Sequence, residues 1–127
     1  MPDRFNMSGD FRGAIINIKS TLTDVQQSVG DIQTDDQAAR KELESLIGQL
    51  SEALQKVPEE NQEDAQAVAE TAKVLVESAK AEKPNKTMVK ISGEGLKQAA
   101  QNLGHVMPVV AKIAGQIAAT VAKLIGA

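Results

Sequence analysis

The stretch of sequence that decides the fold is residues 96–125, LKQAAQNLGHVMPVVAKIAGQIAATVAKLI. Its apolar residues recur at alternating steps of four and three, the spacing that places side chains on one face of an α-helix. They are Leu96, Ala100, Leu103, Met107, Val110, Ala114, Ile117, Val121 and Leu124. Pro108 lacks a backbone donor and clashes with the preceding turn, so together with Gly104 it predicts either one bent helix or two shorter helices.

Two segments upstream repeat this heptad-like spacing, and both are predicted to be helices. The two seams are Ala39, Leu43, Leu46, Leu50, Ala53 and Val57, and then Ala65, Val68, Ala72, Leu75 and Ala79. Pro58 separates them, and the short connection predicts that the two helices are antiparallel neighbours. Thr34 and Gln37 have the spacing of a capping box, and Asn85 is a candidate N-cap.

The first thirty residues have a different pattern. The stretch Phe11–Lys19 is rich in β-branched residues, and Ile16–Lys19 alternates apolar and polar residues, which favours a β-strand. A second short strand at Phe5–Met7, with a turn at Ser8–Asp10, completes a predicted hairpin. Because an isolated hairpin is only marginally stable, its edge must pack on helices or pair with another copy.

The sequence therefore predicts a mainly α protein, with a three- or four-helix antiparallel bundle preceded by a short N-terminal β-hairpin or strand. Residues 1–30 would form the hairpin and a short helix, which begins near the capping-box pair Thr23 and Gln26 and ends at Gly30. Residues 31–127 would form the bundle, with helices at about 36–56, 59–82, 86–104 and 107–126. The expected core is Leu43, Leu46, Leu50, Val68, Leu75, Leu96, Leu103, Val110, Ile117 and Leu124.

The composition excludes several classes of chemistry. The 127 residues include no cysteine, tryptophan or tyrosine, two phenylalanines and one histidine. Without cysteine there is no disulfide, thiolate nucleophile or cysteine-ligated metal, and one histidine cannot build a multi-histidine metal site. Two phenylalanines do not supply a base-stacking surface for nucleic acid. We therefore expect no enzyme activity, no cofactor, no metal site and no nucleic-acid partner.

Three local motifs have both a chemical and a structural interpretation, and the structural one is preferred for each. His105 has no second metal ligand at helical spacing, where Val109 stands. The segment Ser92–Lys97 contains Gly-x-Gly but lacks the further residues of a dinucleotide fingerprint or a P-loop, and a helix-entry loop is preferred. A cluster of four acids after Pro58 fits the solvated first turn of a helix, where the dipole favours negative charge.

The net charge of −3 conceals an uneven distribution. Residues 31–82 carry 13 acidic and five basic side chains, whereas residues 83–127 carry six basic and one acidic. Residues 1–30 carry three of each. This asymmetry indicates either that the two halves pair within the molecule or that a cationic end meets an anionic partner.

The sequence offers two candidate interfaces. Helix 96–126 combines a broad apolar face with a narrow polar strip that contains lysines, so it either covers the core of a bundle and an oligomer or binds a membrane. Its oligomer or membrane interface would be Val106, Val110, Ile113, Ile117, Val121 and Leu124. The predicted strand supplies a second oligomer interface, formed by Phe11, Ile15, Ile16 and Ile18.

The opening segment, FNMSGDFRGAIINIKSTL at residues 5–22, resembles the Gly/Asn/Ile-rich N-terminal leader of small bacterial helical proteins found near signalling and conflict-system genes. The helical part, from Leu43 through VPEE at residues 57–60 to GLK at residues 95–97, is similar to the modules behind such leaders. The resemblance spans most of the chain. It implies an interaction or assembly module in a bacterial cell.

The expected function is a non-enzymatic, self-associating interaction or scaffold module, in the setting of a bacterial signalling or defence assembly. The expected partner is the chain itself, as a homo-oligomer or filament, with another protein and a membrane as further candidates. The alternative is a membrane-active protein, pore-forming or membrane-binding, that uses the cationic amphipathic helix 96–126. Because the N-terminus lacks the order of a secretory signal and polar residues interrupt the apolar C-terminal segment, we expect a cytoplasmic protein.

Overall fold

A computed structural model describes residues 2–126, with side chains from residue 11 to residue 126. Within that range the chain forms five α-helices and no β-strand. The helices are α1 (Pro2–Val29), α2 (Gln37–Leu54), α3 (Gln62–Ala79), α4 (Lys86–Leu103) and α5 (Pro108–Leu124), with a short 3-10 turn at Glu59–Asn61. The prediction of a mainly helical bundle is confirmed, but the bundle has five helices rather than three or four.

The predicted β-hairpin or strand is wrong, because the segment assigned to it lies in α1. The α1 residues that are buried recur at helical spacing and form one face: Ala14, Ile18, Leu22, Val25 and Val29. Ile16 and Ile18 would share one face of a strand, but on α1 Ile16 is 67% exposed and Ile18 only 1% exposed. The β preference of branched residues is a weak bias that packing against other helices overrides.

Both predicted capping boxes are also wrong. Thr23 lies inside α1, where its hydroxyl donates to the carbonyl oxygen of Lys19 at 2.8 Å. The N-cap of α2 is Asp36, whose Oδ1 accepts the N–H of Ala39 at 2.9 Å. Thr34 instead accepts the N–H of Asp36 at 3.1 Å, so its hydroxyl orders the turn that leads into the cap.

The predicted starts of α4 and α5 and the predicted end of α1 are confirmed, whereas α3 begins at Gln62 after a 3-10 turn rather than directly after Pro58. Asn85 caps α4, since its Oδ1 accepts the N–H of Met88 at 3.1 Å. Pro108 is the first residue of α5, where a missing N–H costs no intrahelical hydrogen bond. Of the two forms that Pro108 and Gly104 allowed, the chain therefore adopts two shorter helices and not one bent helix. Gly30 directly follows the last residue of α1.

The five helices close into a ring in the order α1, α2, α5, α4, α3, and each packs on the two beside it. In the described chain α2 and α3 are thus not the antiparallel neighbours that their short connection predicted, because both pack on α1 instead. Residues 55–61 join them and include the 3-10 turn Glu59–Asn61.

A single hydrophobic core lies inside this ring and includes residues from all five helices. The predicted core residues named above are all buried. Close approach of α4 and α5 is possible because Gly93 is buried and a Cβ at that position would lie 3.4 Å from the Cβ of Ala118.

Candidate functional site

A groove of about 440 Å³ runs between α4 and α5. We call it the α4–α5 groove. Its floor consists of small and aliphatic residues, namely Val89, Gly93, Gly115, Ala118, Ala119 and Ala122. Its polar lining residues are Lys86, Thr87, Lys90, Glu94 and Lys97. The result is a largely apolar trough with lysines along one wall.

The groove follows one face of each helix. Lys86, Lys90, Gly93 and Lys97 recur at steps of four, three and four, so they align along α4. At 1.5 Å per residue this wall is about 16 Å long, which is three helical turns. The Nζ of Lys86 donates to the carbonyl oxygen of Gly126 at 3.3 Å, which places the start of α4 beside the end of α5. The two walls are therefore antiparallel.

Small side chains on α5 keep the groove open. A Cβ at Gly115 would meet no heavy atom within 4 Å outside its own local helix. Ala119 is exposed, and Ala118 and Ala122 are half-buried. Gly115, Ala118, Ala119 and Ala122 lie beside the apolar seam of α5. Their spacing of three and four residues in the sequence indicates a second face of small residues on this helix. Sequence reasoning missed the site because only the pairing of α4 with α5 turns that face into a groove.

The lysines of the wall meet little negative charge. The Nζ of Lys97 lies 3.3 Å from Oε1 of Glu94, in an i,i+3 pair whose side chains are 43% and 63% exposed. A pair this exposed contributes little to stability, since water and salt screen it. Lys97 can therefore exchange Glu94 for a carboxylate of a partner at small cost.

The two halves of the chain do pack together, but through apolar faces. Acidic α3 packs on α4, and acidic α2 packs on α5. Among residues 11–126, whose side chains the structure describes, the ion pair between Glu94 and Lys97 is the one within 4.0 Å, and it lies inside α4. The opposite charges of the two halves are therefore left at the surface, where they are available to other molecules.

Most of the predicted C-terminal interface faces the core. The buried members of that set are Val110, Ile113, Ile117, Val121 and Leu124. Val106 is 50% exposed in the turn between α4 and α5. Use of this face against a membrane would require α5 to leave its packing on α2 and α4. None of the helices within residues 2–126 combines the length and the apolar character needed to cross a bilayer.

The residues of the predicted strand interface are spread around α1. Ile18 is buried, and Phe11 and Ile15 are partly buried against the same core. Ile16 is the member of the set whose side chain is mostly exposed. The helix therefore separates residues that a strand edge would have presented together.

The structure also locates His105, the Gly-x-Gly segment Ser92–Lys97 and the acidic cluster after Pro58. His105 is exposed in the turn between α4 and α5. The segment Ser92–Lys97 is continuous helix within α4, so the helix-entry loop predicted there is wrong. Two of the clustered acids, Glu59 and Glu60, are exposed in the 3-10 turn. Across the described part of the chain no three potential metal ligands come together.

Comparisons of the chain with protein-family models, with curated proteins and with solved structures found no match. Over residues 2–126 the fold is a ring of five helices whose outer surface carries an apolar, lysine-lined groove between two antiparallel helices.

Proposed function

We propose that this chain is a non-enzymatic, self-associating interaction or scaffold module and that the α4–α5 groove is a contact surface. The observation that carries the proposal is the shape and lining of the groove. A trough three turns long with a floor of glycine and alanine fits one face of an α-helix, because small residues let the two backbones approach closely. Its lysines favour a partner surface that is acidic.

Exposed apolar side chains support the same proposal. Among residues 11–126, the large hydrophobic residues that are at least 48% exposed are Ile16, Val74, Met88, Ile91, Val106 and Val109. Single exposed residues of this kind are ordinary. Four of these six, however, belong to α4, α5 or the turn between them, which are the elements that form the groove. None of these four lines the groove itself, so they extend the exposed apolar surface of these elements beyond it.

We expect the purified chain to associate as its concentration rises. Light scattering after size-exclusion chromatography, from about 1 µM to about 500 µM, should give masses that rise above the 13.5 kDa monomer. Gly115→Leu fills the groove and should weaken association about tenfold or more. A mass of 13.5 kDa at every concentration would contradict self-association.

Gly13→Leu is the matched control for Gly115→Leu. A Cβ at either glycine meets nothing within 4 Å outside its local helix, so both variants should fold. Gly13 lies on α1, which does not line the groove. If both variants associated like the unmodified chain, the groove would not be the contact surface.

A further inference from the structure

The outer face of α3 carries a pattern that we call the acidic stripe. It consists of Glu63, Ala67, Glu70, Val74 and Glu77. All five are exposed, and their steps of four and three place them along one face of α3. The stripe thus combines small apolar residues with carboxylates, whereas the α4–α5 groove combines small apolar residues with lysines.

The charges of the two surfaces have the same spacing. Glu70 and Glu77 are seven residues apart, which is two turns or about 10.5 Å along α3. Lys90 and Lys97 are also seven residues apart on the wall of the groove. If a stripe lies antiparallel to that wall, Glu77 faces Lys90 and Glu70 faces Lys97. Both ion pairs can therefore form at once.

The apolar residues match in the same register. Val74 lies three residues before Glu77, and Gly93 lies three residues after Lys90. Antiparallel docking therefore brings Val74, which is 50% exposed in the monomer, over the glycine of the groove floor. Covering the groove floor with this valine removes apolar surface of both copies from water.

We infer that the acidic stripe of one copy docks antiparallel in the α4–α5 groove of a second copy. The inference rests on the proposed self-association and names the two surfaces that carry it. The contact is heterologous, because stripe and groove are different surfaces of one chain. Each copy that fills a groove still presents its own groove, so the contact closes into a ring or continues as a filament.

The test reverses the charges of one surface at a time in the full chain. Lys90→Glu with Lys97→Glu reverses the groove, and Glu70→Lys with Glu77→Lys reverses the stripe. Each double variant alone should associate at least about tenfold more weakly, because two attractions become repulsions. Mixed in equal amounts, the two should associate again, since each surface then meets the opposite charge.

The control for the groove variant is Lys112→Glu with Lys123→Glu. It changes the net charge equally, but on exposed positions of α5 that do not line the groove, so its association should match the unmodified chain. Circular dichroism establishes that each variant is folded. Undiminished association of the reversed variants, or no recovery on mixing, would overturn the docking while leaving self-association of the unmodified chain intact. An unmodified chain that stays monomeric would overturn both.

Discussion

Replacing Ile18 with alanine should lower the free energy of unfolding by about 2–4 kcal/mol, whereas replacing Ile16 should change it by about 0.5 kcal/mol or less. The difference follows from α1, which places Ile18 in the core at 1% exposure and leaves Ile16 67% exposed. Denaturant unfolding followed by circular dichroism measures both free energies. The expected difference between the two losses of unfolding free energy is large for two isoleucines that stand two positions apart.

The two substitutions control for each other, since they remove the same atoms from the same segment. On a β-strand both side chains would point to one face, and the two losses would be similar. Equal losses of stability would therefore contradict the helical register of α1. They would favour the strand that the local pattern of residues 11–19 predicts.

Removal of residues 1–30 should abolish cooperative unfolding of the remaining chain. Their helix, α1, packs on both α2 and α3 and contributes Ile18, Leu22, Val25 and Val29 to the core. Fully buried aliphatic side chains contribute about 1.5–3 kcal/mol each. The four together are comparable with the whole net stability of a domain, about 5–15 kcal/mol. A thermal scan of residues 31–127 should show a broad, non-cooperative change.

Addition of a separate peptide of residues 1–30 is the control for this deletion. The peptide should restore a sharp transition, because it replaces the helix that covers α2 and α3. A sharp transition of residues 31–127 without the peptide would contradict a single shared core. It would instead favour the division at residue 30 that the residue pattern of the chain predicts.

The helices α2 to α5 could be predicted because each carries its own evidence. Steps of three and four residues, the Asn85 cap and Pro108 all act within one or two turns. The nature of α1 could not be predicted in this way. Its branched residues Ile15, Ile16 and Ile18 favour a strand locally, and only packing on α2 and α3 decides for a helix.

Contacts between helices were predicted less well than the helices themselves. The connection after α2 is short, yet it is long enough for α1 to lie between α2 and α3. The groove depends on the same kind of information. Lys97, Lys112 and Lys123 belong to one polar strip in the sequence, but the break before Pro108 places only Lys97 on the groove wall.

The docking of one copy on another can be measured directly by disulfide trapping. The natural chain has no cysteine, so single introduced cysteines report one contact each. Ala119 lines the same groove as Gly93, directly follows Ala118 on α5, the residue nearest to Gly93, and is exposed. Chains with Val74→Cys are mixed with chains with Ala119→Cys under mild oxidation.

We expect the mixed disulfide to form well above either like-with-like product. We also expect it to exceed the product obtained when Glu42→Cys, an exposed position on α2, replaces Val74→Cys. That result would place the acidic stripe of one copy in the groove of another. A mixed product no more abundant than the Glu42→Cys control would contradict the docking.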